Sequence, residues 1–222
     1  IIFFAVVRSL YYIFTVPVSF DEADTWLLFI SKGPVMIASF YPFPNNHILY
    51  NWCVWFCSFF PFHTTVLLRL PLIPALPVCM MFVYRLAKHL FNERASIISV
   101  TVFTFSFPVF HYSYTARGYL FILLFALIAL WCLVMLDVQN KKRYWFTLVT
   151  SLVAGFYTVP SSLYFAAPVL AFFFFRWVIQ DKVKAIMLLK HSLVAAAITL
   201  LLYTPVFLVS GTSGLFDFYG KH

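Results

Sequence analysis

The chain has 222 residues, of which 64% are apolar, 22% aromatic and only 10% charged, and its mean hydropathy is +0.94. Such a composition excludes both a soluble globular domain and a disordered chain. The formal net charge of +8, from 15 Lys and Arg against 7 Asp and Glu, lies in short clusters between apolar runs, a pattern that sets membrane topology and speaks against nucleic acid as a partner.

The apolar runs lack the two-residue alternation of outer-membrane strands, so they read as helices, and a crossing needs about 20 apolar residues. The first span is expected at 1–18. It is followed by three of the seven carboxylates, Asp21, Glu22 and Asp24. Residues 19–65 are expected to form one long loop holding two helices, at 21–31 and 46–60, that lie in the membrane interface, since both mix polar residues with Trp and Phe. Gly33-Pro34 ends the first helix, Pro42, Pro44 and Asn45-Asn46 separate the two, and Pro61 ends the second. Six further spans are expected at 66–86, 95–112, 119–136, 144–158, 163–178 and 193–209. Four cysteines (Cys53, Cys57, Cys79, Cys132) fall inside apolar segments with no spacing suited to zinc.

Whether 47–60 crosses decides the sidedness of everything after it. The basic clusters, Arg85 to Arg94, Lys141-Lys142-Arg143, and Arg176 to Lys190, belong in the cytoplasm by the positive-inside rule. They alternate with turns poor in Lys and Arg at 113–117, 158–162 and 210–219. The acidic loop joins those turns on the outer face only if 47–60 does not cross. The expectation is an all-α polytopic membrane protein of seven crossings, N-terminus inside, forming a single module over 1–222. Because the sequence opens at Ile1 inside one apolar run and stops just after another, it is expected to be a fragment whose C-terminal remainder is missing.

A membrane helix followed by Asp21-Glu22-Ala23 is one part of a longer pattern. Asn45-Asn46-His47-Ile48-Leu49-Tyr50 comes next, then Leu68-Arg69-Leu70-Pro71, then Arg85-Leu86-Ala87-Lys88-His89-Leu90-Phe91, and then Ala116-Arg117-Gly118-Tyr119. In order and spacing this resembles the GT-C superfamily of membrane glycosyltransferases, in the branch of the protein O-mannosyltransferases and the lipid A aminoarabinose transferase. The resemblance implies a GT-C-like bundle of about seven transmembrane helices with two interfacial helices in the first extracytoplasmic loop. It also implies transfer of a sugar from a polyprenyl-phosphate donor to a lipid, glycan or protein acceptor, with inversion at the anomeric carbon. The expected location is the bacterial inner (plasma) membrane among its lipids, with the active site on the extracytoplasmic side.

On that pattern Asp21 is the first choice as catalytic carboxylate and Glu22 the second, while Asp24 is expected only to cap the interfacial helix. Arg117 is expected to face the phosphate leaving group; its alternative is snorkelling to lipid phosphates. His47 falls where relatives contact the donor, although Ile48-Leu49 replaces the usual Pro-Pro, and Asn46-His47 serves equally as a helix cap. Arg69 is read either as low in the same cavity or as an interfacial anchor, and Tyr50 and Tyr119 complete the expected substrate-binding set. His111 reaches the outer rim and is expected to pack. No cofactor is certain: Asp21, Glu22 and Asp24 are hard oxygen ligands that suit Mg²⁺ or Mn²⁺. The competing readings are a transporter or flippase of a lipid-linked or small substrate, and a scaffold whose acidic loop binds a partner. A transporter would place charge near the midplane and repeat its halves, whereas here the carboxylates cluster at one surface.

Overall fold

A computed structural model describes residues 1–42 and 45–211, and among these every regular element is helical. Pro44 and residues 212–219 of the last expected outer turn lie outside the described residues. Helix α1 (Ile2–Thr15) stops because Pro17 holds Val16 in an extended conformation, φ −82° and ψ 128°. Helix α2 (Phe20–Asp24) begins at once and runs on as a π-helical stretch, Thr25–Ile30. Gly33, at φ 90°, turns the chain into α3 (Pro34–Ser39), a helix not expected from sequence, and α4 (Ile48–Cys57) follows. The two helices expected in this loop are thus present, the first over 20–30 and the second shortened to 48–57, with a third between them.

Helices α5 (Thr64–Arg69) and α6 (Leu72–Leu90) together form one 27-residue apolar segment. The expected span 95–112 is divided at Ser106 into α7 (Glu93–Phe105) and α8 (Phe107–Tyr112), with Pro108 in the first turn of α8, where its missing N–H is not needed. The end of α7 receives help from α1: the Arg8 guanidinium donates to the Thr104 carbonyl at 2.9 Å and lies over the rings of Phe110 and Phe105. Helices α9 (Tyr119–Val138), α10 (Lys142–Thr158) and α11 (Leu163–Gln180) follow close to expectation.

The last expected span, 193–209, is misplaced. Helix α12 runs from Lys182 to Leu202, and α13 (Thr204–Val209) is separate. Asp181 starts α12 by accepting from the Lys184 N–H at 3.1 Å; Lys182 and Lys190 are exposed on the helix, while the Lys184 ammonium donates to the Asp137 carbonyl at 3.1 Å. Pro205 cannot supply the N–H that would continue α12, so the chain turns back. Among the described residues, four helices are long and apolar enough to cross a membrane: 64–90, α9, 160–180 and α12. A fifth is counted if α1 and Phe20–Ile30, bent by 78°, are one span. The fold is that of a polytopic all-α membrane protein, and the expected count of seven would need the shorter α1, α7 and α10 to cross as well.

One core joins α9 to α12 through Leu133, Trp145, Leu148, Trp177 and Leu188. A second binds α1, α4, α5, α6 and α9 through Ala5, Tyr50, Leu68, Leu76 and Leu120. A third lies in the loop layer, where Phe29, Ile37, Tyr41 and Ile48 meet Tyr203 and Val206. There the Ser210 hydroxyl donates to the Ser39 carbonyl and accepts from the Tyr41 N–H, both at 2.8 Å. Exposed Phe172, Phe175, Ile179 and Leu201 present apolar faces suited to lipid.

Candidate active site

The site is built where α1 gives way to α2. Ser19-Phe20-Asp21-Glu22 is a capping box: Glu22 reaches back to the Ser19 N–H at 2.9 Å, and the Ser19 hydroxyl accepts from the Glu22 N–H at 3.4 Å. Ser19, not Asp24, therefore caps the helix, and the Asp24 side chain makes no capping bond. The box directs Glu22 inward, to 1% exposure, and leaves Asp21 on the open side with 57% of its side chain exposed.

Glu22 meets Arg69, itself 1% exposed, from the end of α5. Its Oε1 accepts from Arg69 Nε at 2.8 Å and from the Ala116 N–H at 2.7 Å; its Oε2 accepts from Arg69 Nη2 at 2.8 Å. Arg69 also donates from Nη1 to the carbonyls of Ile13 (3.1 Å) and Val16 (2.8 Å), and from Nη2 to that of Pro17 (3.1 Å). All five guanidinium N–H groups and both carboxylate oxygens are engaged. Burial disfavours the Glu22 charge, but the Arg69 guanidinium and the two backbone N–H groups outweigh it and hold the carboxyl below its ordinary pKa. This pair is a staple through the end of α1, the start of α2, α5 and the loop before α9.

The same loop carries the second cation. Arg117, 9% exposed, donates from Nη1 to the Asn45 side-chain oxygen and lies 3.5 Å from Asp21 Oδ2. Its Nε is buried with no hydrogen-bond partner among the described residues, and its guanidinium lies 5.7 Å from the centre of the Tyr119 ring. Tyr119 in turn meets the His47 ring edge-on at 5.0 Å. His47 is 2% exposed and neither ring nitrogen finds a partner among the described residues. Burial, with the Arg117 charge adding, pushes its pKa down to about 3, so it is neutral at physiological pH. Gly118 lets the turn approach this closely: a Cβ there would stand 2.7 Å from Thr158 Cγ2 and 2.8 Å from His47 Nδ1.

Asp21, Glu22, Arg69, Arg117 and Tyr119 line one cavity of about 280 Å³. His47 lies behind its Tyr119 wall. Asn46 and Tyr50 lie elsewhere: the Asn46 amide donates to the carbonyls of Ile37 and Phe40 and its oxygen accepts from Asn51, while the Tyr50 hydroxyl donates to the Leu68 carbonyl at 2.6 Å. Both fasten α4 in place, and neither Asn46 nor His47 makes a side-chain capping bond to α4. Ser19 and Asn45 had no expected role; the S-x-x-E spacing of the capping box is legible in the sequence, whereas the contact between Asn45 and Arg117 spans 72 residues. Among the described residues no group of three His, Cys, Asp or Glu side chains is placed to hold a metal. The Glu22 carboxylate is committed to Arg69, so Asp21, Glu22 and Asp24 do not fit as a Mg²⁺ or Mn²⁺ set.

The arrangement sets a solvent-facing carboxylate against a buried guanidinium with unused donors, in a cavity where the turn 113–117 meets the acidic loop. A carboxylate so placed can accept a proton, and the guanidinium can stabilise negative charge forming on an oxygen. The family described as dolichyl-phosphate-mannose-protein mannosyltransferase matches residues 45–209, which takes in His47, Tyr50, Arg69, Arg117 and Tyr119 and begins after Asp21 and Glu22. No curated protein and no solved structure gives a significant match to the chain.

Proposed function

Because the chain belongs to the dolichyl-phosphate-mannose-protein mannosyltransferase family, and is thus a membrane glycosyltransferase, we propose that it moves a sugar from a polyprenyl-phosphate donor to a hydroxyl acceptor at the extracytoplasmic face. The observation that carries this reading is the pairing of exposed Asp21 with buried Arg117 across one cavity. Asp21 takes the proton of the acceptor hydroxyl as its oxygen attacks the anomeric carbon. The bond from that carbon to the phosphate oxygen breaks in the same step, with inversion, and its electron pair stays on the phosphate facing Arg117. Glu22 and Arg69 act as positioning residues, and neutral His47 backs Tyr119 and Arg117 from behind.

Proteoliposomes given a labelled polyprenyl-phosphate mannose and a hydroxyl acceptor test the reading. Transfer predicts release of polyprenyl phosphate and a labelled acceptor, lost in Asp21→Asn. Intact donor crossing the bilayer without cleavage would instead identify a flippase.

A further inference from the structure

Resting on the transfer reaction above, we infer that His111 is a further catalytic residue, the group that meets the charge left on the departing phosphate. His111 stands on the last turn of α8 and lines the cavity that holds Asp21 and Arg117. It is half-buried. Its ring rests on Phe107, with centroids 5.7 Å apart at 16°, and its one polar side-chain contact among the described residues is Nδ1 with the Tyr114 hydroxyl at 3.5 Å, the outer limit of a hydrogen bond. The ring is held in place by stacking while its nitrogens stay available.

The charge inventory of the cavity shows why such a group is needed. Arg69 has no N–H left for a ligand, being committed to Glu22 and three carbonyls. Arg117 already faces Asp21. The two carboxylates and two guanidinia balance, so the walls carry no surplus positive charge when the donor binds as a singly charged phosphodiester. Transfer makes a bond between the acceptor oxygen and the anomeric carbon and breaks the bond from that carbon to phosphate. The acceptor proton goes to Asp21, and the phosphate becomes a monoester whose second ionisation lies near pH 6. The charge that Asp21 loses thus reappears on the phosphate, whose leaving oxygen now needs a hydrogen-bond donor. Imidazole carries a ring N–H of the kind that oxygen needs, and His111 donates it there while the electron pair stays on the phosphate. Asp21 then returns its proton to water, which closes the cycle.

The test measures binding of a short prenyl phosphate, and of the uncharged prenol of the same length, to purified wild type, H111Q and H111K at pH 7. The inference expects H111Q to bind the phosphate at least about tenfold more weakly, the loss of one charged hydrogen bond. It expects H111K to recover most of that affinity and all three proteins to bind the prenol alike, which also reports an intact fold. Equal phosphate affinity in wild type and H111Q overturns the role of His111 and leaves the transferase reading standing. A wild type that binds the prenol and the phosphate equally overturns both. Turnover of a polyprenyl-phosphate mannose should fall in H111Q in parallel with the binding.

Discussion

Two neighbouring carboxylates of the same chemistry end in opposite environments because they occupy successive positions, N2 and N3, in the first turn of one helix. Glu22 is N3 of a capping box and turns into the protein; Asp21, one residue earlier, turns out. Replacement separates the two. Asp21→Asn should reduce transfer by at least about 100-fold, the scale of a lost general base, with no change in unfolding temperature. Glu22→Gln leaves the Arg69 charge buried without its partner, a change worth about 3–5 kcal/mol, and should show as a marked fall in unfolding temperature in detergent. His47 gives a pH signature. Its folded pKa of about 3 lies below the ordinary 6.5, so the unfolded chain binds a proton that the fold refuses, and stability falls as pH drops from 6.5 toward 3. Glu22, lowered from its ordinary 4.5, adds its own loss only below that value. Thermal unfolding between pH 6.5 and 4.5 should therefore follow His47, and His47→Gln should flatten the slope. Asp21, Glu22 and Arg117 could be picked out by residue type and position, but the division of labour between the acids depends on Arg69, 47 residues away from Glu22, a pairing that spacing does not reveal.

Helix breaks decide where the site forms. The α7–α8 break at Ser106 lets α8 bring His111 and the turn 113–118 over the cavity, and Arg8 secures it by taking the Thr104 carbonyl. Arg8→Leu should lower stability by about 1–3 kcal/mol, the penalty of an unmet buried carbonyl, with transfer reduced as the turn loosens; unfolding temperature and rate measured together check this. Gly118→Ala should be worse for activity than its size suggests, since the new methyl meets Thr158 and His47 at under 3.0 Å and must displace Arg117 from Asp21. Hydropathy locates apolar stretches well and breaks poorly. Spans such as 119–136 were legible because α9 is apolar on every side, whereas α12 begins eleven residues before the expected 193, since its lysines mimic a loop. Helix α3 escaped notice because six residues carry too little periodicity to read.

The acidic loop layer and the basic connections at 85–94 and 141–143 are expected on opposite faces of the membrane. That sidedness can be checked in a cysteine-free background. Leu27→Cys, at a residue 59% exposed on the loop layer, should react with an impermeant maleimide added outside, and Lys142→Cys only after the membrane is opened. The bundle was legible from composition and charge alternation, while the return of the chain after α12 was not, because it depends on contacts between residues far apart in sequence. The Ser210 clasp joins partners 169 and 171 positions away. A nascent chain cannot close it until α13 and Ser210 have left the ribosome. The loop layer therefore matures late: Ser39 and Tyr41 wait, with backbone groups unpaired, for a residue made long after them, and Ser210→Ala should leave a population of full-length protein whose outer layer is open to protease while its membrane core resists.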